Sequence, residues 1–428
     1  MLTTTGHGLL PDPALPHRDV LLDPDTVAGL LAAELGTDGP LPVTSCTPVR
    51  CKYRLGESLR TVHRLRVGAT EHLVSARMFV AGAAPTVTAP AGAGPLRPVL
   101  RADGLDTVFW TFPHDRRLRG IDALLAPPPD LARLVPGAWR GTEVAQYAPE
   151  RSVTVRAHDG AEHTVGYAKA YAPGTVDLPV LAARYRRIAA ELARQDLPVE
   201  VPTTLGMSPA RGVLTLAAMP GVSWLRLPAD RLGAAMQLLG TGIALLHGLP
   251  LGTAPGLRTF GRLAPPRLLR SLELIAAARP DHAAAAGRLA AALACGPPES
   301  GPPVLLHGDC HPGNALFDGD RLALIDLDQA GAGPAAADLG SLLARLHHGA
   351  VLGEHTPAEC ADLGAAALTG YAAVRPLPGA AALAWHTAAA LVAERALRAV
   401  NRVHAPAIAQ LGPLLEAAET ILHEGAPR

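Results

Sequence analysis

The stretch Leu305-Leu306-His307-Gly308-Asp309-Cys310-His311-Pro312-Gly313-Asn314, followed by Leu322-Ala323-Leu324-Ile325-Asp326-Leu327-Asp328, constrains this chain more than any other. It reads as a hairpin within 304–328, with Asp-x-x-x-x-Asn in its loop and a carboxylate directly after its closing strand. The surroundings are helical by periodicity, from Ala229 through His247, from Pro266 to Ala294 and almost throughout from Pro357 onward. Upstream lie alternating, turn-punctuated runs that read as strands. Strand-rich first part, helical second part and one embedded hairpin predict an α+β chain with two lobes.

Composition sharpens the hairpin. Lys52 and Lys169 are the only lysines, and Asn314 and Asn401 the only asparagines. Arginine in place of lysine reads as a coding bias toward GC-rich codons, so the exceptions are informative. Asn314 stands at the fifth position after Asp309, where a neutral oxygen ligand for Mg²⁺ is wanted. Lys169 ends a predicted strand, where a compact ammonium suits a tight phosphate pocket better than a broad guanidinium. Together with Asp326 these residues are the parts of magnesium-dependent phosphoryl transfer: one carboxylate to orient an attacking hydroxyl, an amide oxygen and a second carboxylate to hold the metal.

Other classes are disfavoured. The formal net charge is zero and aromatic residues make up 4% of 428, so there is neither a basic field nor a set of stacking platforms for nucleic acid. Cys46, Cys51, Cys295, Cys310 and Cys360 form no C-x-x-C pair, which fits a reducing, cytoplasmic setting. The start, Met1 to His7, lacks a basic region leading into an apolar core, and no apolar run reaches membrane-spanning length. The longest, Gly379 to Ala393, is interrupted by His386 and Thr387 and reads as a buried helix. No membrane partner is expected, and nothing in the sequence speaks to oligomeric state.

Two upstream segments resemble each other. Tyr53-Arg54-Leu55-Gly56-Glu57-Ser58-Leu59 leads to Ser75-Ala76-Arg77-Met78-Phe79-Val80-Ala81-Gly82, and Tyr147-Ala148-Pro149-Glu150-Arg151-Ser152-Val153 leads to Tyr167-Ala168-Lys169-Ala170-Tyr171-Ala172-Pro173-Gly174. Each predicts a three-stranded meander, with Arg77 where Lys169 stands. Residues 41–82 read as a degenerate copy and 143–171 as the working one, against the alternative of two unrelated meanders. A Pro-rich linker at Ala83–Gly94 and a break at Pro127-Pro128-Pro129 separate them. A short helix is expected over Val27–Leu35 and an amphipathic one to about Gln195, carrying Leu181, Tyr185, Ile188 and Leu192. Strands follow at Thr203–Met207 and Val213–Ala217.

These residues resemble the aminoglycoside phosphotransferase family, small-molecule kinases with a protein-kinase-like fold. The likeness covers roughly 143 to 428 and rests on His307-Gly308-Asp309 with Asn314, Ile325-Asp326-Leu327-Asp328, Asp338-Leu339-Gly340, and Leu245-Leu246-His247. It implies an α+β, bilobal fold with a β-rich N-lobe and a helical C-lobe: residues 1–140 an extra N-terminal cap, 141–220 the N-lobe and hinge, 221–428 the C-lobe. It implies Asp309 as the catalytic base, Asn314 and Asp326 as metal ligands, and Lys169 on the α- and β-phosphates of ATP or GTP bound with Mg²⁺. The segment Leu216-Ala217-Ala218-Met219 would be the hinge, with Ala217 and Met219 reading the base. The family's acidic partner for the strand lysine aligns near Arg184 or Tyr185; Glu191 is the only acid of that helix. The phosphate loop, Ala148 to Ser152, lacks a glycine-rich stretch, leaving Arg151 and Ser152 as donors.

His307 is expected to support the loop, His311 to touch substrate or pack beneath it, Asp328 to order the loop, and Cys310 to be a small loop residue rather than a redox group. Asp338 is expected to satisfy free N–H groups at a helix start. His347, His348 and His355 read as a solvated helix end. The acceptor implied is a hydroxyl of a small molecule: a sugar, aminosugar or natural product. Polycations are disfavoured because Glu354, Glu359, Asp362 and Glu394 are balanced by Arg345, Arg395, Arg398 and Arg402. The position of the N-terminal segment is similar to the cap of some bacterial sugar kinases. The alternatives are a kinase of peptide Ser/Thr and a nucleotide-binding pseudokinase.

Overall fold

The computed structural model describes residues 6–87, 94–137, 139–298 and 301–425. The linker Ala83–Gly94 and the stretch Met1–His7 lie partly outside the described residues. The chain packs into two compact units: one holds the residues up to Val176 with Ser208–Leu214 and Ala399–Ala405, the other Asp177–Met207, Thr215–Arg398 and Pro406 onward.

In the first unit, strands Val43–Arg54, Ser58–Val67 and Thr70–Phe79 form an antiparallel meander. Thr107–Thr111 pairs beside its third strand, and Val99–Ala102 closes the edge. The period-2 pattern buries Tyr53, Leu59, Leu65 and Val74, all nearly inaccessible. Helix Pro24–Glu34 packs on the first strand, and the Asp23 carboxylate caps it by accepting from the Thr26 N–H at 3.3 Å. The sequence did not reveal Val99–Ala102 and Thr107–Thr111. They are short, and the second is buried at every position, so no alternation marks it.

A second meander in the same unit comprises Gly141–Ala148, Ser152–His158 and Thr164–Tyr171. Tyr171 N–H donates to Gly212 O at 2.9 Å, laying the chain at Val213 alongside the third strand. Each meander is thus flanked by a strand that emerges from a short 3₁₀ turn, Asp103–Leu105 in one and Pro209–Arg211 in the other. The registers also correspond. Tyr53 faces Leu59 and Arg60 faces Arg77 in the first; Tyr147 faces Val153 and Thr154 faces Lys169 in the second. Counting from either turn, Arg77 and Lys169 occupy the same place.

The turns differ where it matters. Gly56 takes a left-handed φ of 72° in the first, and Glu150 takes 61° in the second. A non-glycine residue there carries strain and needs a compensating contact. Glu150 has three: its buried carboxylate pairs with Arg77, with Arg60 at 3.2 Å and with Arg116 at 3.5 Å, while its N–H donates to Asp115 at 3.0 Å.

The second unit is mostly helical. Helices Leu232–Gly248 and Pro357–Ala372 cross so closely that a Cβ on Gly240 would lie 1.9 Å from Ala367 O, and one on Gly370 the same distance from Gln237 O. Only glycine fits those two positions. Thr356 and Glu359 form a capping box at the start of the second helix. The hairpin pairs Ala315–Asp318 with Arg321–Leu324, next to Val199–Glu200. Val304–Leu306 pairs instead with Gly331–Gly333. Among the described residues no helix is long and apolar enough to cross a membrane.

Candidate active site

The loop between Leu306 and Ala315 is fixed from beneath by one carboxylate. Asp338 is almost wholly inaccessible and accepts from the N–H groups of His307 at 2.7 Å and Gly308 at 3.0 Å. His247 Nε2 lies 3.2 Å from the same carboxylate, and His247 Nδ1 lies 3.0 Å from the Tyr371 hydroxyl. Burial opposes the charge of Asp338, yet His247 and these donors hold its pKa below the ordinary carboxylate value. The structure therefore corrects one reading. Asp338 does sit in the first turn of helix Ala335–Val351, but its partners are the amides of the loop rather than those of its own helix.

This anchor predicts a large stability effect. Asp338→Ala removes a buried charged acceptor and leaves two buried N–H groups and a histidine unmatched, so it should cost about 3–5 kcal/mol. Urea unfolding followed by tryptophan fluorescence measures it; a change within about 0.5 kcal/mol, typical of an unremarkable surface site, would contradict the anchor.

Gly308 explains the sharpness of the turn. Its φ is 77°, and a Cβ there would sit 2.1 Å from Gln329 O. His307 turns inward, its Nε2 2.9 Å from Ile325 O, which ties the loop to the strand preceding Asp326. Asn314 Nδ2 donates to Asp309 O at 3.0 Å, and Asn314 O accepts from Ile325 N. With its nitrogen so engaged, the Asn314 side chain keeps its carbonyl oxygen as the remaining donor atom for a cation. The hairpin thus brings Asp309, Asn314 and Asp326 together.

Asp309 is one-fifth exposed and meets Arg262 Nη1 at 3.3 Å and Gln329 Nε2 at 3.2 Å. Burial works against its charge, while Arg262, His311 and His307 keep its pKa below the usual value. Arg262 also pairs with Glu394 at 3.1 Å, and Glu394 accepts from Ser341 Oγ. Sequence reasoning missed Arg262, since one arginine among so many carries no signal of its own. Glu394 and Arg395 lie in a π-helical turn, Leu391–Ala396, a distortion common at functional sites. Arg395 is buried with Nε unpartnered, and burial pushes its pKa down to about 10.

Asp326 adopts a left-handed φ of 64° and opens the turn Leu327–Gln329. Tyr185 secures that turn: its hydroxyl accepts from Leu327 N at 2.8 Å and lies 3.4 Å from Asp328 Oδ1. Asp328 so touches the residue that secures the turn. Arg184 donates to Pro255 O and Gly256 O. Glu191 bonds to Arg194 at 2.6 Å and Gln195 at 2.6 Å on its own helix. His311 Nδ1 accepts from Gly313 N at 3.1 Å, and burial pushes its pKa down to about 4. Cys310 is buried with its thiol pushed well up, chiefly by burial, so it is no nucleophile. His347 and His348 are half-buried near the end of helix Ala335–Val351, His348 in its last turn.

The remaining predicted residues belong to other segments of the chain. Lys169 pairs across the second meander with Thr154, its Nζ 5.3 Å from the centre of the Tyr171 ring. Ser152 opens the middle strand and faces both Ala148 and Tyr171. Arg151 is exposed in the turn, its N–H donating to Ala148 O at 3.0 Å. In the second unit, Ala217 N–H donates to Thr203 O at 2.9 Å, and Met219 follows in the half-buried loop.

The bent loop thus carries Asp309 and Asn314 beside Asp326, two residues past the strand Arg321–Leu324, the residue types that phosphoryl transfer calls for. Residues 154–377, just over half of the chain, match the phosphotransferase enzyme family APH, and the chain belongs to that family. It is a small-molecule kinase with an alcohol group as acceptor, on the α+β, protein-kinase-like fold. Similar solved structures include a macrolide 2'-phosphotransferase from Brachybacterium faecium, 24% identical over 72% of this chain and 99% of that one with a TM-score of 0.43. Others are a choline/ethanolamine kinase family protein from Mesorhizobium loti, at 19%, 69%, 92% and 0.45, and amicoumacin kinase hAmiN in complex with AMP-PNP and Ca²⁺, at 15%, 65%, 87% and 0.46. No curated protein matches the chain.

Proposed function

We propose that the chain transfers a phosphoryl group from ATP to a hydroxyl of a sugar-like natural product, with Asp309 orienting that hydroxyl. The observation that carries this is the placement of Asp309: ionised, partly open, and held by Arg262, Gln329 and the Asn314 bridge. Kept below the ordinary pKa, it is a weak base that accepts the hydroxyl's hydrogen bond and takes its proton late. That suits a loose transition state in which positioning outweighs deprotonation. Residues 141–220 act as the nucleotide lobe and hinge in this reading, 221–428 as the helical lobe, and 1–140 as the cap. Lys169 holds the α- and β-phosphates, Arg151 and Ser152 add donors, and the Ala217 carbonyl and Met219 read the base. Glu191, the only acid of its helix, is the candidate acidic partner of Lys169 in this reading, and its carboxylate also meets Arg194 and Gln195.

Asn314 and Asp326 fit Mg²⁺ held together with nucleotide. One amide oxygen and one carboxylate are too few for a protein cage, but they match a cation completed by phosphates and water. When bound, the ion neutralises charge on the transferring phosphoryl group. Among the described residues no group of three or more His, Cys, Asp or Glu could hold a metal without such help. ATP should therefore stabilise the protein substantially only with Mg²⁺ present, by about 2.7 kcal/mol at a hundredfold excess over Kd. Thermal shifts of equal size with and without Mg²⁺ would remove the metal assignment.

The charges around Asp309 favour a neutral or anionic acceptor. Arg262 contacts it and Arg395 acts on it through space, and the nearby Glu394 is already paired with Arg262 and Ser341. A polycationic aminoglycoside would meet like charge here. A nucleotide-consumption screen over sugars, aminosugars, aminoglycosides and Ser/Thr peptides tests the class, and turnover confined to polycations or to peptides would overturn it.

A further inference from the structure

A small cavity of about 50 Å³ lies in the first unit, and no residue of the hairpin that carries Asp309 lines it. Arg50, Lys52, Arg60, Arg151 and Arg402 supply five of its nine lining residues and no acid lines it, so its field is uniformly positive. That space holds about four waters, or one tetrahedral oxyanion.

Several contacts show that this crowding is built in. Lys52 and Arg60 stand directly opposite each other on paired strands, an arrangement that destabilises a sheet unless something lies between the charges. Arg402 is drawn in by donating to Cys51 O at 3.0 Å. Arg60 pairs with Glu150 at 3.2 Å through one nitrogen, while its Nε is buried without a partner. The side chain of Lys52, one of the two lysines in an arginine-rich chain, forms no ion pair or hydrogen bond among the described residues. Burial first, then Arg54, Arg60, Arg151 and Arg402, push its pKa down to about 8. A bound anion would reverse each of these costs.

We infer that this cavity is an oxyanion site separate from the nucleotide's, taking one phosphoryl-sized group: inorganic phosphate or the phosphate end of a phosphomonoester. The cross-strand pair Lys52 and Arg60 would grip it from the floor, with Arg50 and Arg402 at the sides.

Isothermal titration of the full chain with inorganic phosphate, and separately with glycerol 3-phosphate, tests the inference at constant ionic strength. One-to-one binding of at least one is expected. Phosphate alone identifies the free ion as ligand, and the ester alone identifies a phosphorylated metabolite. Lys52→Glu should weaken binding by about tenfold or more, the worth of one charged hydrogen bond, with ATP affinity unchanged. Lys52→Met, which removes the like-charge contact, should lose anion affinity while melting at or above the wild-type temperature, and so keeps the test informative if Lys52→Glu does not fold. Absence of binding by both anions, equal binding in Lys52→Met, or displacement of the anion by saturating ATP·Mg²⁺ would overturn the inference.

Discussion

Asp309→Asn should leave nucleotide binding nearly intact while kcat falls by roughly a hundredfold or more, the scale of a lost general base. The amide keeps the shape of the side chain and can still meet Arg262 and Gln329, whose positions beside it are fixed by Glu394 and the 327–329 turn. It removes only the charge that accepts and orients the hydroxyl proton. Initial rates on an accepted alcohol, with ATP·Mg²⁺ affinity from calorimetry, separate the two effects. A variant that turns over at the wild-type rate would show that Asp309 is not the base.

Lys169→Ala should lower kcat/KM by orders of magnitude through lost phosphate positioning, whereas Arg77→Ala should stay within a few-fold. The two residues occupy equivalent register positions in the two meanders, which makes the comparison a controlled one. The structure supplies the reason for the small effect at Arg77. Its guanidinium serves Glu150, and Arg60 and Arg116 still neutralise that carboxylate when Arg77 is gone. Comparable losses from both substitutions would mean that the first meander, not the second, binds nucleotide.

The parts of the site that sequence made legible are those confined to one short segment. Asp309, Asn314 and Asp326 are joined by a hairpin whose backbone bonds, Ile325 to Asn314 among them, follow from strand alternation and turn residues. Long helices were equally legible, because periods of Leu and Ala persist over many residues, as in Leu232–Gly248 and Pro357–Ala372. What escaped depends on contacts between distant segments. Arg262 reaches Asp309 and Glu394 across separations that no local pattern encodes. Asp338 has the position of a helix-start carboxylate, but the choice between its own amides and those of His307 and Gly308 is made by tertiary packing. Tyr185 was legible as an apolar stripe residue, and its hydroxyl on Leu327 N was not.

The repeat shows both sides of this. The likeness of the segments at Tyr53 and Tyr147 was visible in letters, and the common register of Arg77 and Lys169 is what such a likeness predicts. The strand Thr107–Thr111, which completes the flank of the first meander, had no alternating pattern to announce it. Glu150 carried no signal either, since its role requires a left-handed turn and three arginines remote in sequence.

The central claim is phosphoryl transfer to a small-molecule hydroxyl, and acceptor-dependent ADP release measures it most directly. With ATP and Mg²⁺, wild-type protein should release ADP in proportion to a sugar-like alcohol that gains one phosphoryl group by mass spectrometry, and neither signal should appear without Mg²⁺ or with Asp309→Asn. ADP release that no alcohol stimulates, from a protein that binds ATP·Mg²⁺, would contradict the account and leave a nucleotide-binding pseudokinase in its place.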